Sequence, residues 1–419
     1  MRRRLLGNIF SLYVLQGLNY AIPIAVLPYL VRVLGMERYG LIAFAQSFAQ
    51  NITILTDYGF NYSATRAIAR QRDDHESVAR LSSAVILIKL ALTLLGGAIL
   101  LGVVTTVPRF HQNASFFFVA FIAVIGNFLF PVWYFQGIEK MRYISYVIGT
   151  CRLAGAIALF IFVHHADDAL LALAIQSSSI LAGGVAGMWI LIWRLDRRFV
   201  LPSVTDLKSV LTEGWHLFVS TAAISLYTSL NVFLVGLLAG NLQAGYFSAA
   251  EKLVRALQGL IAPATQAIFP HMSALAARSR DGALLFAKRT LKWMGGVSLV
   301  SSALILALAP YIVKICFGLR ASGSIPVLRW IAPLPFLIAV NGVLGVQTMV
   351  SFGLDKQFSR ILISAGLLNL GLAVPLIHQY AARGAGMSVL CTEFFVVVAM
   401  LVVLQRQGFS LRGSGTVAS

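Results

Sequence analysis

Along most of this chain apolar residues run on for twenty or so positions at a time, and polar side chains gather where each run ends. A bilayer core takes about 20 apolar residues per helix. The pattern therefore predicts about twelve membrane-spanning helices, roughly over residues 8–31, 39–57, 81–105, 114–136, 143–163, 169–193, 214–238, 245–269, 293–309, 325–352, 361–378 and 385–404. The first run follows three arginines, as a signal peptide would, but it contains Gln16, Asn19, Pro23 and Pro28 and reads as a retained helix. The segments 61–80, 194–213 and 270–292 are long enough for amphipathic surface helices, and no loop reaches the size of a soluble domain. The aromatic run Phe116 to Phe118 reads as lipid contact.

Lys and Arg fix the direction of threading, because short cytoplasmic loops collect them. With the N-terminus inside, the cytoplasmic segments hold groups such as Arg2, Arg3 and Arg4, or Lys288, Arg289 and Lys292. The other side holds only Arg32, Arg38, Arg109, Lys314, Arg320 and Arg383. Both termini are then cytoplasmic.

Composition agrees with this pattern. Of 419 residues, 58% are hydrophobic and 11% charged, where soluble proteins carry about 25% charged residues. The formal charge of +18 is accounted for by topology and contact with anionic lipid, so nucleic acid is not needed as a partner. Three scattered cysteines exclude a disulfide framework and offer no metal site. No nucleotide-binding loop and no nucleophile-base arrangement is found, which argues against ATP hydrolysis within this chain, and the lack of a long outer loop argues against an enzyme.

Two landmarks repeat. Gly35-Met-Glu-Arg-Tyr-Gly40 follows the first run and Gly240-Asn-Leu-Gln-Ala-Gly245 the seventh. Gly137-Ile138-Glu139-Lys140 closes the fourth run and Gly353-Leu354-Asp355-Lys356 the tenth. They predict an all-α integral membrane fold of two pseudo-symmetric six-helix lobes, 1–196 and 214–405, with a cytoplasmic linker over 197–213 and a cytoplasmic tail over 406–419. Such lobes suit alternating access, with substrate held in a central cleft.

Five basic residues fall inside the runs: Lys89, Arg152, Lys252, Arg255 and Arg329. Each costs about 3 kcal/mol at the bilayer centre. Glu251 and Glu393 are the acids at comparable depth, because Asp57 sits at an inner helix end. The excess is positive, so an anion is the simplest resident. Glu251, Lys252, Arg255 and Gln258 give the eighth run a polar stripe, and Gln46, Gln50, Thr53 and Asp57 give the second run another. Both stripes are candidates to line the cleft.

Several of these residues sit in segments that resemble a known family. Leu27-Pro28-Tyr29-Leu30, Val33-Leu34-Gly35, Tyr39-Gly40, Asp57-Tyr58-Gly59-Phe60-Asn61 and Ser63-Ala64-Thr65-Arg66 resemble the first two helices of Wzx-type polysaccharide repeat-unit flippases. The stretch from Trp133 to Met141 resembles their fourth-helix ending, and Ala250-Glu251-Lys252 with Arg255 and Pro263 resembles their eighth helix. The resemblance implies the multidrug, oligosaccharidyl-lipid and polysaccharide exporter superfamily and a multi-pass protein of the bacterial cytoplasmic membrane. It also implies a cargo, an undecaprenyl-diphosphate-linked oligosaccharide such as an O-antigen repeat unit, moved from inner to outer leaflet. On this reading Arg152, Lys252, Arg255, Lys89 and Arg329 bind substrate. A proton or sodium gradient replaces any cofactor, with Glu251, Glu393 and Asp57 as the ion-coupling acids. Gln46, Gln50 and Gln258 line the cavity. Membrane lipids, a polysaccharide polymerase and a chain-length regulator are the candidate partners. The rival readings are a cation-coupled multidrug antiporter, which needs deep acids more than deep cations, and a membrane polymerase or ligase, which needs a large outer loop.

Overall fold

The computed structural model describes residues 2–71, 74–194 and 199–408. Among them the backbone is helical throughout, joined by short turns. It divides into two compact units, Met1–Ser225 with Gly240–Gly245, and Leu226–Ala239 with Tyr246–Ser419.

The first unit begins with α1 (Arg2–Asp57), a long helix broken at Gly35, where φ of 78° turns the chain between the first two predicted runs. Next comes α2 (Phe60–Gln71), whose Phe60, Ala64 and Ile68 recur at helical spacing and are buried. It is a short amphipathic helix within the segment 61–80 expected to hold one. Asp74 starts α3 (His75–Thr106) by accepting hydrogen bonds from the Glu76 and Ser77 backbone N–H groups, both at 3.1 Å. These bonds and one from the Ser77 hydroxyl hold the Asp74 carboxyl below the usual carboxylate range. The unit continues with α4 (Pro108–His111), α5 (Ala114–Leu129), α6 (Val132–Gly137), α7 (Met141–Phe162), α8 (Ala169–Trp189) and the first part of α9 (Val204–Thr228). Its core gathers Phe60, Ile68, Val85, Trp133, Tyr134, Phe135 and Leu191. Phe117 is buried against Phe44, Phe48 and Phe110, while Phe118 is exposed. Only one end of the expected lipid-facing aromatic run therefore faces outward.

The second unit holds the end of α9, α10 (Leu230–Ala239), α11 (Asn241–Arg278) from Tyr246 onward, α12 (Arg280–Phe317), α13 (Ser324–Ile331), α14 (Leu334–Asn341), a π-helical stretch Gly342–Val350, α15 (Asp355–Tyr380) and α16 (Ala382–Arg406). Leu344, Met349, Ile361, Val396, Met400 and Leu404 form its core.

Outside these cores lie stripes of large exposed apolar side chains: Leu153, Ile157 and Ile161 on α7, or Leu304, Leu308, Tyr311 and Ile315 on α12. Water-soluble monomers rarely show such faces, whereas lipid tails solvate them without cost. Among the described residues eight helices are long and apolar enough to cross a membrane, and nine if the bent α9–α10 pair counts as one crossing. The chain is a multi-pass membrane protein.

Both sequence landmarks have structural counterparts. Gly240 has φ of 104° and matches the break at Gly35. The two turns pack together within the first unit by reciprocal contacts: a Cβ on Gly40 would lie 1.8 Å from the Asn241 carbonyl oxygen, and one on Gly245 2.3 Å from that of Met36. At the other landmark, Glu139 and Gly353 both take left-handed φ, 57° and 72°. Lys140 N–H donates to Phe135 O at 2.8 Å, and Leu354 N–H to Met349 O at the same distance. New helices then start at Met141 and Asp355. The backbone thus matches Glu139 with Gly353, two residues away from the register that the letters suggest, which sets Gly137 against Gly353.

Candidate functional site

Each unit carries polar side chains inside its apolar helices. In the first, Lys89 of α3 is 2% exposed, and its Nζ donates to Asp57 Oδ1 at 2.9 Å and to the Asn127 carbonyl of α5 at 3.4 Å. Asp57 closes α1 and keeps 31% of its side chain exposed. This corrects the sequence expectation, which placed Asp57 at a different depth and left Lys89 uncompensated. The butylammonium stem spans the difference in depth, and the pair joins three helices. Farther along α1, Gln46 Nε2 donates to Gln176 Oε1 of α8 at 3.1 Å, so this member of the stripe links two helices. Gln50, one turn on, is exposed. Arg152, on α7, is also exposed.

In the second unit, α11 displays the expected polar stripe. Arg255 binds Glu251 Oε1 through Nη2 at 2.8 Å and Nε at 3.1 Å, and its Nη2 also donates to the Thr228 carbonyl. The guanidinium side chain remains 49% exposed against 18% for Glu251. Lys252 and Gln258 are half-buried on the same helix. Glu393 of α16 is 7% exposed, accepts a hydrogen bond from Asn341 Nδ2 of α14, and lies within electrostatic reach of Arg255. Arg329 stands apart on α13, exposed beside the exposed Trp330, an arrangement suited to a membrane interface.

The structure therefore groups Glu251, Arg255 and Glu393 in one unit and pairs Asp57 with Lys89 in the other. A carboxylate already satisfies Lys89. Arg152 and Arg255 are exposed and Lys252 is half-buried. Sequence reasoning missed the neutral partners Asn127, Thr228, Gln176 and Asn341. Asn127 and Thr228 serve through backbone carbonyls, which every residue carries, while Gln176 and Asn341 interrupt apolar runs outside the two polar stripes.

With this geometry in place, the chain can be set beside known proteins. The family model described as "Polysaccharide biosynthesis protein" matches residues 5–276. The chain belongs to that family. It is 36% identical over 399 residues to a protein of Escherichia coli (strain K12) named "Putative O-antigen transporter", covering 95% of this chain and 96% of that one. Among solved structures, the lipid II flippase MurJ in an inward closed conformation superposes with a TM-score of 0.71 at 11% identity, over 96% of this chain and 89% of that one. An inward-facing multidrug resistance MATE transporter of the MOP superfamily gives 0.62 at 16% identity, over 95% of this chain and all of that one. At such identities the two likenesses establish a shared fold, the one that the Wzx-type resemblance implies.

Proposed function

We propose that this member of the polysaccharide biosynthesis family is a flippase for undecaprenyl-diphosphate-linked oligosaccharides, carrying them from the inner to the outer leaflet of a bacterial cytoplasmic membrane by alternating access. The observation that carries this reading is end-to-end similarity, within the family, to the Escherichia coli protein. The residues add a chemical reason: Arg152, Lys252 and Arg255 match a diphosphate, whereas a carrier of cationic drugs would call for acids in their place. The reading includes twelve crossings, both termini in the cytoplasm, a transporter with no catalytic step, and coupling to an ion gradient through the acids of the second unit. A polysaccharide polymerase and a chain-length regulator are the partners that would receive its product.

Deletion of the gene in its own host, followed by extraction of lipid-linked intermediates, tests the proposal. Accumulation of one lipid-linked oligosaccharide with loss of the surface polysaccharide, both reversed by the plasmid-borne gene, is the expected result. Unchanged surface polysaccharide with no accumulated intermediate would overturn it.

A further inference from the structure

Matched stretches of the two halves are wound differently, broken in one and continuous in the other. In the register that sets Glu139 against Gly353, Asn127 corresponds to Asn341: Asn127 lies just before the end of α5 at Leu129, and Asn341 is the last residue of α14. In the first unit the break is fixed covalently: α5 ends at Leu129, Pro131 interrupts the backbone, and α6 restarts at Val132. In the second unit no proline intervenes, and the chain passes from Asn341 directly into the π-helical stretch Gly342–Val350. π-Helix is rare and, where it occurs, is frequent at functional sites. Here Thr348 Oγ1 donates to Val343 O at 2.8 Å inside the stretch, and Gln347 is buried with its Nε2 making no hydrogen bond. With no proline in it, this stretch keeps every backbone N–H and can pass between π- and α-helical winding.

The side chain at the entrance to this stretch is Asn341, and it holds Glu393. Its Nδ2 donates to a carboxylate oxygen, while its Oδ1 is buried with no donor to accept from. An ionised carboxylate has no proton to offer that oxygen. A protonated one has, and acid and amide would then close a ring of two hydrogen bonds, O–H to Oδ1 and Nδ2–H to the carbonyl oxygen. The surroundings leave few other candidates. α14, the π-helical stretch and α10 contain no charged or titratable side chain, and α12, packed against the first two, carries Arg280, Asp281, Lys288, Arg289 and Lys292 toward its start and Tyr311, Lys314 and Cys316 toward its end. α13 brings only exposed Arg329. α15 carries Asp355, Lys356, Arg360, His378 and Tyr380 toward its two ends, and α16 itself carries Arg383, Cys391 and Arg406 away from Glu393. Arg255 of α11, held by Glu251, is the charged group whose field reaches the carboxyl.

We infer that Glu393 is a proton-binding site that sets the π-helical stretch Gly342–Val350 through Asn341, so that proton uptake and release shift this stretch between π- and α-helical winding. The inference rests on the flippase reading only for its purpose, since the switch itself can be observed without substrate. Binding moves one proton from solvent to a carboxylate oxygen and changes no other bond.

The test uses the purified full-length protein in lipid nanodiscs. Amide hydrogen exchange across residues 342–350 is followed against pH, after correction for intrinsic exchange, in wild type, Glu393→Gln, Asn341→Leu and Glu393→Asp. Infrared difference spectra follow the carboxylic acid band in parallel. The expected result is a pH-dependent change in protection of about fivefold, the equilibrium factor of one net hydrogen bond. It should be confined to this stretch, lost in Glu393→Gln and Asn341→Leu, and kept with a displaced midpoint in Glu393→Asp. A titrating acid band that vanishes in Glu393→Gln belongs with it. An identical exchange profile against pH in wild type and Glu393→Gln, or no band attributable to Glu393, would overturn the inference. Neither result depends on which lipid is carried, so a failed flippase assay beside a positive exchange result would count against the proposed function alone.

Discussion

The Asp57–Lys89 pair gives the sharpest stability prediction because its two members are buried so differently. In Asp57→Ala, the Lys89 ammonium stays 2% exposed with only the Asn127 carbonyl at 3.4 Å for company. A buried charge that loses its partner costs about 3–5 kcal/mol. In Lys89→Met the stem is replaced at nearly equal volume, and Asp57, 31% exposed, is rescued by water, so the loss is that of a charged hydrogen bond, about 1.5–3 kcal/mol. The double variant Asp57→Leu/Lys89→Met removes both charges and should fall within about 1 kcal/mol of wild type. Reversible unfolding in mixed detergent micelles measures all three. The expected order is Asp57→Ala worst, Lys89→Met intermediate and the double variant mildest. Equal losses in the two single variants, or a double variant as unstable as Asp57→Ala, would refute the reasoning that burial of the ammonium decides the cost.

Three further outcomes follow from the backbone and from an exposed cap. Glu139 occupies the left-handed conformation that its counterpart Gly353 takes without strain; Glu139→Gly should stabilise by about 1 kcal/mol and Gly353→Ala destabilise by a similar amount, read from unfolding midpoints. Gly40→Val should prevent accumulation of folded protein, because its Cβ would overlap the Asn241 carbonyl oxygen, whereas Gly296→Val, with open space around its Cβ position, should not; gel filtration of detergent extracts distinguishes them. Asp74 is held below its ordinary carboxylate range by Ser77 and the first backbone amides of α3. Its capping is therefore complete above the unfolded-state value and is lost as pH falls through the lower folded one. After correction for intrinsic exchange, protection in the first turn of α3 should fall as the solution is acidified in wild type and stay level in Asp74→Asn.

Much of this was legible because bilayer physics writes itself into runs of apolar residues. The Gly35 and Gly240 turns could be paired from spacing alone, since positive φ and backbone contact both select glycine. The second landmark was readable as a repeat but misread in register: the left-handed position is Gly353 in one copy and Glu139 in the other, so matching glycine to glycine slides the alignment by two. The Lys89–Asp57 pair was hidden because depth had been counted separately along α1 and α3, and a long flexible side chain bridges helices whose residues do not share a level. Asn341 escaped notice because a neutral amide inside an apolar run carries no charge to balance, although its buried Oδ1 is a costly atom to leave without a donor.

The central claim is that cationic side chains hold the diphosphate of a lipid-linked glycan while it changes leaflet. Its most direct measurement uses proteoliposomes loaded with a fluorescent polyprenyl-diphosphate oligosaccharide, scoring the fraction that an impermeant quencher reaches over time under an imposed ion gradient. The account predicts transfer by the wild-type protein and at least a tenfold slower rate (about 1.4 kcal/mol) in the triple variant Arg152→Ala/Lys252→Ala/Arg255→Ala, with equal amounts of folded protein in the vesicles. A triple variant as fast as wild type would contradict it.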